Sequence, residues 1–418
     1  MITHMNNDTN TGSKAWLYII ITALFCFWGL ANNLTGVLQK AFGQILDIDS
    51  WQTVLIQSAF YAAYFCFALP ATYYIFRNSY KGATLIGLLM YAMGATLFFP
   101  ASSVGSVYFY ILAIYIMAGG CAVLETVANP YVLSLEKDFD RGIRRLNIVQ
   151  SFNPLGSIVG ILLGNTIVIS HLSGSSNPEV LHEELDTITL LYAVLGEVLL
   201  IFMVTLLFIS MPVPSTLKEE GSRKFPRILE GLGRLKGQRR FRSGVLVLML
   251  YTTAQTGVWG YATQVVEGVE DSFSADGNTV YMLAIISFAA FRFLFSALMG
   301  SYNWAKLLFA AAVMAAVMSL VVVFGSGAMA ITALIMVSGM MSLMFPTIFG
   351  SALQFTGKDM QIGASLLIMS ISGSLVLAPV QNIIAQSLGP QLSYIVPVVC
   401  FMAIAIYAAG LLLHDRKK

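Results

Sequence analysis

The chain is 418 residues long, 57% hydrophobic and only 11% charged, with a formal net charge of +2. That balance leaves too few polar side chains to cover soluble domains. The sequence therefore reads as a membrane protein, with the lipid bilayer as its surroundings and no nucleic acid expected among its partners.

Apolar segments of about 20 residues recur from end to end, and in lipid each can satisfy its backbone only as a helix. Twelve transmembrane helices are predicted, over residues 15–38, 51–76, 82–101, 105–134, 146–170, 188–211, 243–267, 279–300, 304–324, 328–355, 361–387 and 391–413. Residues 1–14 are polar and lack the basic stretch, short apolar core and cleavage site of a secretory signal, so the first helix is expected to insert and stay. The long polar interval 212–242 divides the segments six and six. The expected organisation is an N-terminal tail (1–14), a six-helix bundle (15–211), a basic linker (212–242), a second six-helix bundle (243–413) and a C-terminal tail (414–418). Within the linker, Ile228, Leu229, Leu232 and Leu235 recur at helical spacing among Arg227, Arg234, Lys236, Arg239 and Arg240. That pattern suits either an amphipathic helix on the anionic inner leaflet or a solvated tether.

Lys and Arg close to helix ends are retained on the cytoplasmic side. One set of alternate loops carries Lys14, Arg77, Lys81, Lys137, Arg141, Arg144, Arg145, the cluster from Lys218 to Arg242, Lys306, Lys358 and the terminal Arg416, Lys417 and Lys418. The other set has Lys40 alone, among acidic residues such as Asp47, Asp49, Glu183 and Glu267. Both termini are therefore expected in the cytoplasm. The halves also echo one another, with Trp28-Gly29-Leu30-Ala31 in the first helix and Trp259-Gly260-Tyr261-Ala262 in the seventh. Such an echo suits a transporter built from duplicated bundles.

Cys26, Cys66, Cys121 and Cys400 all fall inside predicted helices without metal-ligand spacing, and His4, His171, His182 and His414 fall in tails or loops. No metal site is expected from such a pattern. With no Walker loop or dinucleotide fingerprint present, no cofactor is expected either, and the Gly119-Gly120 pair is assigned to close helix packing. No nucleophile, base and orienting group come together, so the chain is not read as an enzyme.

What remains is a set of polar residues inside apolar helices. Asn32 and Asn33 lie in the first, Gln57 in the second, Asn147, Gln150, Ser151 and Asn153 in the fifth, and Gln255 and Thr256 in the seventh. Singly, a buried amide is as well explained by interhelical hydrogen bonding. Collectively, and beside Trp28, Trp259, Tyr61 and Tyr64, they suit a neutral, hydroxyl-rich ligand, since amides both donate and accept and aromatic faces cover the apolar faces of a sugar ring. Three ionisable residues also lie within the membrane: Glu125 in the fourth helix, Glu197 in the sixth and Arg292 in the eighth. A carboxyl in hydrocarbon costs several kcal/mol if ionised, so Glu125 must be protonated, paired or open to water, which makes it the candidate proton site. Arg292 needs a partner, whether sugar hydroxyls, a carboxylate or backbone carbonyls. Glu197 is read as structural.

Several runs together resemble the signatures of the fucose:proton symporters of the major facilitator superfamily. They are Asn32-Asn33-Leu34 after Trp28, Gln57-Ser58-Ala59-Phe60-Tyr61, Leu124-Glu125-Thr126-Val127-Ala128-Asn129-Pro130, Arg145-Leu146-Asn147 with Gln150-Ser151-Phe152-Asn153, Ala254-Gln255-Thr256 with Trp259, and Phe345-Pro346-Thr347-Ile348-Phe349. The resemblance spans essentially the whole chain. It implies a twelve-helix all-α fold in two bundles, in a bacterial inner membrane. It further implies a monomeric carrier of a monosaccharide and protons, with Glu125 as the protonatable carboxyl, Asn33 and Gln150 contacting sugar, and Trp28 and Trp259 as cavity aromatics. Two departures stand out. The family reads Asn-Asn-Leu-Asn-Asp where this chain reads Asn32-Asn33-Leu34-Thr35-Gly36, so the carboxyl of the first helix is missing, and Phe345 stands where tyrosine is common. An uncoupled or sodium-coupled carrier of another hexose or amino sugar, and a membrane sugar sensor, therefore stay open as alternatives.

Overall fold

The computed structural model describes residues 18–30, 33–34, 50–136, 138–168, 178–211, 226–269 and 276–415. Ten segments of it are helices long and apolar enough to cross a membrane. Their bounds fall close to those predicted: Leu55–Arg77, Tyr80–Val104, Val107–Ser134, Phe139–Val168, Glu183–Leu207, Gly277–Leu298, Trp304–Phe324, Gly327–Leu353, Gly357–Leu388 and Leu392–His414. The other two predicted spans are helical as well. The first is described over Tyr18–Leu30, α1. The seventh runs over Arg239–Gly260, where Thr252, Thr253, Gln255 and Thr256 dilute the apolar character. No strand occurs among the described residues. Asn32 and Gly36 lie outside them, as do both tails apart from His414 and Asp415.

In chain order the next helices are α2 (Ser50–Arg77), α3 (Tyr80–Thr96), α4 (Phe98–Val104), α5 (Val107–Ser134), α6 (Phe139–Gln150), α7 (Asn153–Leu163) and α8 (Pro178–Leu207). There follow α9 (Pro226–Gly237), α10 (Arg239–Gly260), α11 (Ala262–Gly268), α12 (Gly277–Leu298) and α13 (Trp304–Phe324). The last are α14 (Gly327–Met340), α15 (Met344–Leu353), α16 (Met360–Ser370), α17 (Ser374–Leu388) and α18 (Ile395–Asp415).

Two spans are broken where proline withholds a backbone donor. Pro154 has no N–H for the carbonyl of Gln150, and the fifth span turns between α6 and α7, with Phe152 N bonding back to Val149 O at 3.4 Å. Pro346 likewise has no N–H for the carbonyl of Ser342, and a 3₁₀ turn over Met341–Leu343 separates α14 from α15. The fifth span also begins earlier than hydropathy suggests. Asp138 caps α6 by accepting from Asp140 N at 3.1 Å, so the helix starts among charged residues rather than at Leu146.

The helices fall into two units, residues 1–131 with 155–228 and residues 132–154 with 229–418. In the first, α3 packs along α8. Lys81 there donates to the carbonyl of Leu207 at 2.8 Å, so two loops of the basic set meet at one end. In the second, α13 lies against α14 and α18, α10 against α15 and α18, and α6 against α12 and α15. The linker forms a helix, α9, as the amphipathic reading expected, but its inner side rests on protein. Leu235 is buried, and Gly231 passes close to the side chains of Ile362 and Asp359. Arg234 grips Asp359 through two bonds of 2.7 Å each. The Asp359 carboxylate beside it holds the Arg234 guanidinium above its usual range.

Candidate functional site

Glu125 sits on α5, whose 28 residues include no other charged side chain. It is 8% exposed. Its Oε1 accepts from the Tyr64 hydroxyl of α2 at 3.0 Å, and the Tyr64 oxygen in turn accepts from Trp28 Nε1 of α1 at 2.8 Å. The three side chains thus form one buried hydrogen-bonded line across three helices. Aromatic packing holds it: Phe25 stacks on Trp28 with centroids 5.2 Å apart, and Phe60 lies 5.4 Å from Tyr64.

Two predicted amides lie close by, Asn33 shortly after α1 and Gln57 on α2. Asn33 Nδ2 donates to the Gly29 carbonyl at 3.1 Å, a carbonyl that also accepts from Ser157 Oγ at 3.4 Å. Gln57 is exposed on α2, two turns before Tyr64 and so on the same helical face. α5 also approaches α3 closely. A Cβ on Gly120 would lie 2.5 Å from Tyr91 N and 2.6 Å from the Gly87 carbonyl, so backbone meets backbone there. Gly119 faces side chains instead, those of Phe67 and Met90.

The second unit holds the other buried charge. Arg292, 4% exposed on α12, donates through Nη2 to Gln150 Oε1 at 2.7 Å. Its guanidinium lies 5.3 Å from the Phe288 ring centroid, and its Nε is buried without a protein partner among the described residues. Gln150 occupies the last turn of α6, at the break that Pro154 enforces. Neighbours on the same segment fasten it: Asn147 Nδ2 donates to Thr347 Oγ1 at 3.2 Å, and the Ser151 and Ser296 hydroxyls are 3.1 Å apart. Asn153 is half-buried at the start of α7.

Trp259 packs edge-on against the same Phe288, with centroids 5.0 Å apart. Its Nε1 donates to Ser338 Oγ at 3.0 Å, and that hydroxyl donates on to the Ala284 carbonyl at 2.7 Å. Gln255 is half-buried one turn earlier on α10. Trp28 and Trp259, which the sequence pairs as an internal echo, thus each donate their indole N–H to a hydroxyl on another helix. Glu197 is exposed on α8 between the exposed Val194 and Val198.

Ser296, Ser338 and Thr347 are polar partners that sequence reasoning did not assign, and Tyr64, expected as an aromatic beside a ligand, is the hydrogen-bond partner of Glu125. Chemically, the first group offers a carboxyl that can take up or release a proton beside a neutral donor. The second offers amides and a guanidinium with donors to spare, suited to an acceptor-rich ligand.

Comparison with known proteins extends this reading. Residues 17–374 match the Major Facilitator Superfamily. The chain is 33% identical to the L-fucose-proton symporter of Haemophilus influenzae over 93% of its own length and 95% of that protein. It is 26% identical to the glucose/galactose transporter of Brucella abortus, over 93% and 92% respectively. The crystal structure of a variant of the Escherichia coli fucose:proton symporter superposes with a TM-score of 0.81 at 28% identity, covering 94% of this chain and 98% of that one. With a match of this extent across its helices, the chain belongs to the Major Facilitator Superfamily.

Proposed function

We propose that this protein is a proton-coupled sugar uptake carrier, working by alternating access, with Glu125 as the group that takes the proton. The observation that carries the reading is a carboxyl buried in an apolar membrane helix whose hydrogen bond comes from a neutral phenol, Tyr64. Such a group can exchange a proton without first breaking an ion pair. Similarity along the whole chain to an L-fucose-proton symporter supports both the proton and a sugar.

The substrate is L-fucose or a related hexose, held by Asn33, Gln57, Gln150, Asn153, Gln255, Trp28, Trp259 and Arg292, with Asn32 as a further contact. The chain acts as a monomer in a bacterial inner membrane, with two six-helix bundles, 15–211 and 243–413, joined by the linker 212–242. Both termini face the cytoplasm, a placement that rests on the distribution of Lys and Arg. Downhill entry of the proton drives accumulation of the sugar.

The test is the pH of a weakly buffered suspension of proteoliposomes as L-fucose, then glucose, galactose and other hexoses, are added. Alkalinisation outside is expected with the transported sugar, and Glu125→Gln is expected to abolish accumulation while sugar exchange continues. Labelled sugar entering without alkalinisation would instead establish an uncoupled carrier. The similarity to a glucose/galactose transporter makes those two hexoses the second substrate reading.

A further inference from the structure

The line from Trp28 to Glu125 runs in one direction, and chemistry fixes which. An indole N–H donates and cannot accept, so at the 2.8 Å contact the Tyr64 oxygen is the acceptor. Tyr64 has one proton of its own, and it is directed to Glu125 Oε1 at 3.0 Å. Packing between Phe60 and the Tyr64 ring restrains the phenol from swinging elsewhere. The other titratable groups around the carboxyl are Cys121, one turn back on α5, and beyond it Tyr91 on α3. Tyr91 is already committed, its hydroxyl donating to the Phe27 carbonyl at 3.0 Å. Tyr64 is therefore the donor that Glu125 answers to.

We propose that Tyr64 is a positioning residue that sets the pH at which Glu125 loads its proton and passes the loaded state to α1 through Trp28. This rests on Glu125 being the proton site. A phenol donor bonds a carboxylate about twice as strongly as a neutral carboxylic acid. Its presence therefore favours the ionised form of the carboxyl over the protonated one. When the incoming proton settles on Oε2, the bond from Tyr64 to Oε1 weakens, Tyr64 keeps its own proton, and the hydroxyl that holds Trp28 is released to turn. Protonation on α5 is thereby felt at an aromatic side chain on α1, five residues before Asn33. Neither Trp28 nor Tyr64 needs to touch sugar for this coupling to operate.

The experiment measures proton-driven sugar uptake against pH in proteoliposomes holding purified, monodisperse protein. Tyr64→Phe keeps the ring and deletes the donor, and it is expected to move the midpoint upward by about one pH unit. Replacing Tyr64 by 3-fluorotyrosine keeps the shape and makes the hydroxyl a stronger donor, so the midpoint is expected to move the opposite way. A role confined to packing predicts no such pair of opposed shifts. On a Glu125→Gln background, exchange is expected to be independent of pH whether residue 64 is Tyr or Phe. An unmoved midpoint in Tyr64→Phe, or the same direction of shift in both variants, would overturn the proposal. Should Tyr64→Phe fail to assemble, the fluorotyrosine protein decides alone, its unmoved midpoint being equally fatal. Accumulation driven by pH that persists in Glu125→Gln would remove the proton-site reading itself, and this proposal with it.

Discussion

Gly119 and Gly120 are adjacent, yet the structure assigns them different consequences on substitution by alanine. A methyl on Gly120 meets Tyr91 N at 2.5 Å and the Gly87 carbonyl at 2.6 Å, whereas ordinary contact begins near 3.4 Å. Both obstacles are backbone, so α3 and α5 must part by roughly 0.9 Å along the seam. Overpacking of this kind costs about 1–3 kcal/mol, and Gly120→Ala is expected toward the upper half of that range. A methyl on Gly119 meets Phe67 ring carbons at 2.8 and 2.9 Å and the terminal methyl of Met90 at 3.0 Å. Both obstacles are outer side-chain atoms that can shift without parting the backbones, so Gly119→Ala is expected nearer the lower limit of about 1 kcal/mol. Gly94 lies on the same seam, its added methyl falling 2.6 Å from Met117 Cα. Once the helices have separated for one methyl, the second finds room, so Gly94→Ala and Gly120→Ala together should cost less than the sum of the two. The assay is unfolding of the purified protein titrated with SDS in mixed micelles, read by tryptophan fluorescence. Equal costs for Gly119→Ala and Gly120→Ala, or strict additivity of the seam pair, would refute the argument from backbone contact.

Two further outcomes follow from the charges. Gln150→Leu removes the acceptor of a buried guanidinium and is expected to lower stability by about 3 kcal/mol in the same assay, while Gln150→Glu, which retains an acceptor, should be close to wild type. Arg234→Ala should release α9 from Asp359 and speed tryptic cleavage in the linker. Because the folded protein holds Arg234 above its ordinary range, the pair's contribution is fully present below the unfolded arginine range and is lost only as pH rises past the higher folded one. The arginine therefore introduces no pH dependence into tryptic protection across the neutral range.

The spans were legible because a backbone in lipid leaves few alternatives, and the hydropathy that marks them survives single polar residues. Their starts were less so. The fifth span begins at Phe139 and the sixth helix at Pro178, where a cap and a proline set the first turn among charged residues that hydropathy discounts. Glu125, Arg292, Trp28 and Trp259 stood out because charge and indole are expensive or conspicuous in an apolar run. Hydroxyl partners on other helices did not. The hydroxyls of Ser338 and Thr347 are nearly neutral to hydropathy, and such a group can bond within its own helix, as Thr347 does to the Leu343 carbonyl at 2.7 Å. Which hydroxyl also reaches across to another helix depends on side-chain direction between helices far apart in sequence, as with Asn147 and Thr347.

The pairing of charges separates what is fixed in this molecule from what must change. Arg234 and Asp359 form a two-bond ion pair at the linker, the arrangement suited to a joint that stays made. Inside the membrane the pattern is different: Arg292 bonds an amide and Glu125 a phenol. Taking apart a buried ion pair costs several kcal/mol, a barrier that would recur in each transport cycle if Glu125 were locked to a cation. A neutral partner keeps the carboxyl oriented but leaves its protonation free to change. The same logic applies to Arg292, whose Nε has no protein partner among the described residues and so has donor capacity for a hydroxyl-rich ligand that a carboxylate fork would have consumed. On the proposed function, neutral partners at these two positions leave Glu125 able to exchange a proton and Arg292 able to bond a sugar hydroxyl at every turnover.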